Sequence, residues 1–343
     1  MTPSADRLLP LVDVARRAPS VLNTQPWRFR VADGLVELRA DRNRQLEALD
    51  PDGRELTISC GAALAALRIA AAHDGLRADL DLFPDPDDPD LLARATFAEA
   101  SAPEDDRMLR ALEARRTHRK AFADAPIPPA AREALTGAAR RNGAWLHILT
   151  VDDSKAAVGD LVAEAVAVQG QSAPVVREIR RWLRPDPDPR PDGVRDADQG
   201  RWDRLAAVRT PTSAVALHKR TLLREAPAVV VLGTDGDEPH DWLRAGLALG
   251  DVLVTAADRG LAVSYANEPI EVGGAFRRRL AALVGEGAPQ VLLRMGHPVL
   301  EPGTPRRPLR DVVEVGPASP AAAPEARQSS AAPSRLPRPS SSE

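Results

Sequence analysis

Two short segments of this 343-residue chain concentrate hydrogen-bonding chemistry. The first is Pro19-Ser-Val-Leu-Asn-Thr-Gln-Pro-Trp27. Ser20, Asn23, Thr24 and Gln25 stand between two prolines, and such a turn can aim several donors and acceptors one way, as recognition of a planar polar ring requires. The same residues suit a helix-to-strand connector whose polar groups satisfy nearby backbone, and residue types alone favour that plainer account. The second segment is Arg115-Arg-Thr-His-Arg-Lys120, five basic side chains and a hydroxyl within six residues. Guanidinium forks match phosphate oxygens in pairs, and a dianionic phosphate needs several such donors. Thr304-Pro-Arg-Arg-Pro308 adds Arg306 and Arg307 between prolines that favour extended chain. By charge alone, solvated stretches balancing the abundant Asp and Glu remain the simpler account of both basic segments.

Other chemistries have no such foothold. No glycine-rich nucleotide loop follows a strand pattern, and there is no nucleophile elbow. The six histidines are scattered without metal-ligand spacing, and His118 alone falls inside a candidate segment. We therefore expect no metal and assign no catalytic side chain.

Around these segments the hydrophobic pattern predicts the elements that must position them. Leu8, Leu11, Val12 and Ala15 form one helical face over 6–18, ending before Pro19. Trp27, Phe29 and Val31 alternate as a strand, Asp33-Gly34 is a hairpin turn, and Val36, Leu38 and Ala40 continue the alternation. Gly53 to Asp74 reads as a nearly all-apolar helix stopping at Gly75, and such a helix belongs in the middle of a domain. A strand over 77–83 follows, then helices over 103–116 and 130–142, a strand over 145–151 and a helix over 152–169. Residues 170–220 lack clear period and include the proline-studded 185–193. A buried strand over 228–232, an apolar helix over 241–259 stopping at Gly260, and a strand over 290–295 complete the pattern. From Gly316 the Pro, Ala and Ser composition predicts disorder.

The two apolar helices are alike. A shift of 185 residues lays Gly61–Leu76 on Gly246–Leu261 without gaps, with seven of 16 positions identical, Gly61/Gly246 and Gly75/Gly260 among them. Ala15-Arg-Arg before Trp27 is echoed by Ala139-Arg-Arg before Trp145. The chain reads as a duplication with unequal decay. Only the first copy keeps the polar loop, and only the second carries the basic segments.

Composition sets the outer limits. Hydrophobic residues make up 43% of the chain and aromatics 3%, so a sizeable core can form and must be aliphatic. A net charge of −3 argues against nucleic acid as a partner. The single cysteine, Cys60, excludes an intramolecular disulfide and fits a cytoplasmic compartment. No signal peptide is evident, and no run of 18 uncharged apolar residues predicts a membrane span.

Residues 6–315 resemble the nitroreductase family, specifically its fused, two-lobed Acg-type group. Pro19 to Phe29 is similar to the family's P-S-x-x-N-x-Q-P-W-x-F loop. Arg115-Arg-Thr-His-Arg…Phe122 resembles its R-R-S-x-R-x-F motif with one extra residue before the Phe. Pro269-Ile-Glu-Val-Gly273 resembles its P-I-E-G turn with Val272 inserted, and Thr304–Pro308 its late basic segment. The resemblance implies an α+β fold: mixed sheets flanked by helices in two fused lobes that form an intramolecular pseudo-dimer and need no second chain. The lobes would be 1–100 and 101–315, with a lid insertion at about 170–220 and a disordered tail at 316–343. It implies one FMN per chain, because each motif survives in one lobe only. The cofactor would be bound by Ser20, Val21, Asn23 and Gln25; by Arg115, Arg116, Thr117 and Arg119; by Pro269, Ile270 and Glu271; and by Arg306 and Arg307. The implied activity is NAD(P)H-dependent reduction of nitro compounds or quinones. The alternative is an FMN-sequestering protein whose lid stops turnover.

Overall fold

A computed structural model describes residues 2–100, 106–185, 187–195, 212–285, 287–299 and 305–316. The predicted disordered tail beyond Gly316, and Thr304, lie outside the described residues.

At the centre lie two 20-residue helices, Arg54–His73 and Pro239–Asp258. Each is followed by a glycine in the left-handed region, Gly75 at φ 71° and Gly260 at φ 69°, where the chain leaves the helix without a Cβ clash. Small residues let the two axes approach. A Cβ on Gly61 would stand 2.4 Å from the Leu243 carbonyl oxygen and 2.8 Å from the Gly246 Cα. A Cβ on Gly246 would stand 2.2 Å from the Ile58 carbonyl oxygen and 2.7 Å from the Gly61 Cα. The Arg54–His73 helix is long and apolar enough to cross a membrane, but 78% of that stretch is buried within the fold. The absence of an uncharged apolar run therefore did not exclude a helix of that character.

The first sheet has the order β11-β1-β2-β4-β3, from β1 (Trp27–Ala32), β2 (Leu35–Ala40), β3 (Leu76–Leu82), β4 (Leu91–Glu99) and β11 (Val313–Val315). Neighbours pair antiparallel except β1 and β11, where Phe29 lies opposite Val313 in parallel. One face of this sheet packs Phe29, Val31, Val36 and Leu38 under the Ala5–Ala15 helix and the first long helix. β3 alternates between buried or half-buried and exposed positions, as a strand with one open face should.

The second sheet has the order β5-β8-β10-β9, from β5 (Trp145–Leu149), β8 (Ala228–Thr234), β9 (Ala262–Tyr265) and β10 (Ala288–Gly296), with these strands antiparallel throughout. Both its faces are covered. Ala228, Val230 and Leu232 enter the core shared with the Pro129–Arg140 and Pro239–Asp258 helices. Val229 and Val231 enter the core shared with the Asp152–Gln171, Thr212–Glu225 and Gly274–Val284 helices. The unbroken apolar run of β8 follows from this double burial.

Two connections matter for function. The basic segment runs beside β9, where Thr117 forms a parallel bridge to Val263 and the His118 N–H donates to the Val263 carbonyl at 2.8 Å. After β10 the chain returns to the first sheet through β11, which brings Arg306 and Arg307 to the polar loop.

The structure departs from the sequence reading in several elements. Residues 91–99, unassigned from sequence, form β4: alanine is a poor strand former, but pairing with β2 and β3 on both sides overrides that preference. The expected helix over 103–116 is described as Arg107–Ala114. Residues 170–220 are not aperiodic: the Asp152–Gln171 helix runs into them, Ala173–Trp182 is helical, and the Thr212–Glu225 helix closes them. Between these, β6 (Leu183–Arg184) and β7 (Val194–Arg195) pair as a two-stranded parallel ribbon. Residues 196–211 of that expected lid lie outside the described residues.

Candidate functional site

A cavity of about 460 Å³, within the range of small-molecule sites, is lined by residues of both long helices and of the 170–220 segment. All four predicted segments reach it. Ser20, Val21 and Asn23 come from the polar loop, Thr117 and Arg119 from the basic segment, Glu271 from the Pro269 region and Arg306 from the late segment.

The polar loop is wound tightly. Leu22, Asn23 and Gln25 have φ of 47°, 53° and 52°, a region that non-glycine residues rarely occupy. The Ser20 hydroxyl accepts the Gln25 N–H at 2.9 Å and helps close the turn. Asn23 Nδ2 donates to the Gly193 carbonyl at 3.0 Å and the Pro305 carbonyl at 3.3 Å. The sequence places Gln25 and Arg307 among the ligand contacts; the structure places both in the wall behind the cavity. Gln25 is fully buried, donating from Nε2 to the Pro191 carbonyl at 2.9 Å while its Oε1 accepts the Arg307 N–H at 2.8 Å. Arg307 donates from Nη1 to the Gln25 carbonyl at 3.2 Å and from Nη2 to the Asp311 carbonyl at 2.5 Å. For Gln25 the connector account is the right one, and Arg307 is buried rather than solvated.

One end of the cavity is cationic. Arg119 and Arg306 line it, with Arg115 buried beside them. Arg306 and Arg115 both donate to the Arg17 carbonyl, at 3.2 and 3.3 Å. Burial, then the charges of Arg115, Arg119 and Arg116, push the Arg306 guanidinium down to about 9. Burial likewise lowers Arg115, whose Nε and Nη1 are buried without a partner. The neighbouring Tyr265 hydroxyl is also buried and unpartnered, and burial raises it to about 12. Crowded, desolvated cations with unfilled donors call for an anion. Arg116 is exposed and turns back to the Glu113 and Arg115 carbonyls at 2.6 and 2.8 Å. His118 packs away from the cavity against Phe122, its Nε2 2.9 Å from the Ala121 carbonyl.

The other end is acidic, and sequence reasoning missed most of it. Pro269 and Ile270 belong to a short helix, Glu268–Val272, rather than a turn; they are buried, and of this helix Glu268 and Glu271 face the cavity. Gln169 Nε2 donates to Glu271 Oε2 at 2.6 Å, and Lys219 pairs with Glu268. Glu55, from the first long helix, completes the group. Asp50 caps that helix, accepting the Glu55 and Leu56 N–H groups at 3.0 and 2.8 Å. Glu55 Oε1 accepts from Arg54 at 2.9 Å and from Asn267 at 3.1 Å, while its Oε2 is buried without a partner. Burial first, and the Glu271 charge second, raise Glu55 well above the usual carboxylate range; burial raises Glu271 too. The signal that could have found Glu55 was a charged pair, Arg54-Glu55, opening an otherwise apolar helix.

A stability test follows from Glu55. Its folded form holds a proton at a pH where the unfolded chain has lost it. Stability therefore falls as pH rises from the ordinary carboxylate range through the raised folded value, by up to about 1.4 kcal/mol per pH unit. Glu55→Gln abolishes that titration, so its melting temperature should gain on that of the native protein between pH 5 and 8. A difference that stays flat across this range would show that Glu55 does not titrate anomalously.

Among the described residues no group of His, Cys, Asp and Glu could hold a metal ion.

The fold and cavity define an α+β protein of the nitroreductase family: the Nitroreductase family model matches residues 112–297, and the chain belongs to that family. The chain is 33% identical over 326 residues to "Putative NAD(P)H nitroreductase Rv3131" of Mycobacterium tuberculosis H37Rv, covering 91% of this chain and 92% of that protein. It is 32% identical over 325 residues to the similarly named acg of the same organism, covering 91% and 96%. Among solved structures it is similar to the FMN and NADPH-dependent nitroreductase NfnB from Sphigopyxis sp. strain HMH, with TM-score 0.40, 21% identity, and coverage of 60% of this chain and 97% of that one.

Proposed function

We propose that this protein binds one FMN per chain and reduces nitro compounds or quinones with NAD(P)H. The observation that carries this reading is the cationic end of the cavity, with Arg115 Nε and Nη1 buried and unfilled beside Arg119 and Arg306. A phosphate monoester supplies the acceptors those donors lack. Thr117 lines the same cavity. Ser20, Val21 and Asn23 on one wall and Asn267 and Glu271 on another offer a ring system polar partners, with Ile58 and Leu249 between them. When bound, FMN supplies the hydride chemistry, and the protein holds and shields it.

We also propose that the halves form an intramolecular pseudo-dimer in a monomeric cytoplasmic protein, with lobes 1–100 and 101–315. The contacts at the helix crossing support this. Gly61 meets Gly246, Ile58 and Leu243 each approach the opposite glycine, and Ala65 meets Gly250. These are partners at the 185-residue shift, and a twofold axis makes equivalent residues meet reciprocally.

Sequestration is the second reading, favoured by one feature. Val176, Ile179, Leu183, Val194 and Val215, all from the 170–220 insertion, line the cavity and cover it with apolar surface. The test is flavin released by heat per chain, then mixing the flavoprotein with NADPH and a nitroaromatic or quinone. One FMN per chain and sustained NADPH oxidation are expected. A ratio near two would remove the single-site reading. Retained FMN that dithionite reduces and NADPH does not would replace turnover with sequestration.

A further inference from the structure

A second cavity, of about 450 Å³, lies on the far side of the Gln25 wall and shares no lining residue with the first. From the body of the protein Arg28, Arg44 and Arg307 line it; from the insertion come Arg181, Arg184 and Arg190. Asp41 and Asp192 line it with them, while Arg190 donates from Nε and Nη2 to Asp188 at 3.0 and 2.6 Å and Arg28 is 3.9 Å from Glu314, so six guanidinium groups face four acids. Asp192 is already shared: Oδ1 accepts from Arg184 at 2.8 Å, and Oδ2 accepts both Arg44 Nη1 and Nη2 at 3.0 Å. Asp41 is 3.2 Å from Arg28. Unfilled donors remain at two of the six. Arg184 is buried, with its Nε lacking a partner. Arg181 is exposed and forms no ion pair or hydrogen bond among the described residues. Arg44 and Arg184 also stack on Trp182, at 5.7 and 5.5 Å from its ring, which holds their guanidinium planes in place. Burial, then the charges of Arg44 and Arg28 opposed by Asp41 and Asp311, leave Arg307 below its usual range.

We propose that this pocket binds a small diphosphate-bearing compound. Six guanidinium groups against four carboxylates leave an excess of two positive charges, divided between Arg28, Arg44 and Arg307 on the body and Arg181, Arg184 and Arg190 on the insertion, so a diphosphate can offer one phosphoryl group to each side. Arginine forks also match phosphoryl oxygens pairwise. The occupant has a mechanical consequence. Asp192 and Gly193 adjoin the pocket on the insertion side, and the Gly193 N–H donates to the Asn23 carbonyl at 3.2 Å, on the wall of the first cavity. A diphosphate drawing Arg181, Arg184 and Arg190 towards Arg28 and Arg44 braces the insertion across that cavity.

The experiment is calorimetric titration of the purified protein, as isolated, with inorganic pyrophosphate at low ionic strength, with sulfate as the comparison. One saturable site per chain is expected, with sulfate much weaker. Arg181→Ala removes an exposed side chain with no structural partner and should weaken pyrophosphate binding about tenfold or more. Arg119→Ala, in the other cavity, should leave it unchanged. At saturation, hydrogen exchange of the Gly193 amide should slow. Absence of a saturable site, equal affinity for sulfate, or binding lost in Arg119→Ala and kept in Arg181→Ala would each overturn the proposal; unchanged exchange at Gly193 would overturn the bracing.

Discussion

Arg115→Ala combined with Arg119→Ala is expected to purify without flavin, with FMN affinity reduced on the order of a hundredfold or more. The two arginines supply charge-assisted hydrogen bonds worth about 1.5–3 kcal/mol each. The same change should not cost the flavin-free protein its stability. Arg115 is buried with two nitrogens unfilled, and its charge depresses Arg306 beside it. Removing it relieves a repulsion that only a bound anion otherwise relieves. The diagnostic pattern is thus lost flavin with an unchanged or raised apoprotein melting temperature. Full flavin loading in the double variant would show that these arginines do not hold the phosphate. Lost flavin with an unfolded apoprotein would show that they serve the fold instead.

The same arginines show what was legible in the sequence. A run of cations is visible without a structure, and its unequal distribution between the two repeats pointed to one site assembled from both. The long helices were visible too, because an apolar face all round needs only composition to recognise. What stayed hidden was direction. Gln25 and Asn23 sit two residues apart in one loop, yet Asn23 lines the cavity while Gln25 is consumed by the Pro191 carbonyl and the Arg307 N–H. Those partners are distant in sequence: Arg307 enters as β11 pairs with β1, and Pro191 comes from the insertion. Arg306 and Arg307 divide in the same way, one lining the cavity and its neighbour facing the opposite side. Glu55 stayed hidden because a helix that is apolar on average conceals a single carboxylate.

The Ala173–Trp182 helix was missed for a different reason. Val176 and Ile179, with Leu183 just past the helix end, follow helical spacing, and all three face the cavity. Three apolar residues make a weak stripe in a segment rich in arginine and proline. The stripe has a purpose only once the cavity beneath it is known. The cavity is thus polar at its two ends, while the insertion adds apolar cover between them.

Substitution at the helix crossing should have the largest effect on folding. Gly246→Ala places a methyl 2.2 Å from the Ile58 carbonyl oxygen and 2.7 Å from the Gly61 Cα, and Gly61→Ala places one 2.4 Å from the Leu243 carbonyl oxygen. These are backbone atoms of buried helices, so no side chain can swing aside. The two axes must separate, at the typical overpacking cost of about 1–3 kcal/mol or somewhat more. Because Glu55, Ile58, Ser59 and Leu249 ride on these helices into the cavity wall, flavin retention should fall along with the melting temperature. Gly137→Ala is the control. Gly137 lies within the Pro129–Arg140 helix with only the Arg141 Nη1 within reach, at 3.9 Å, so an alanine there should stabilise by about 0.5–1 kcal/mol. The crossing substitutions should also fail to add. Once one methyl has parted the helices, the second meets room already made, so the double variant should cost less than the sum of the singles. Strict additivity would mean that each glycine is accommodated separately, and it would remove the close reciprocal contact on which the proposed pseudo-twofold arrangement rests.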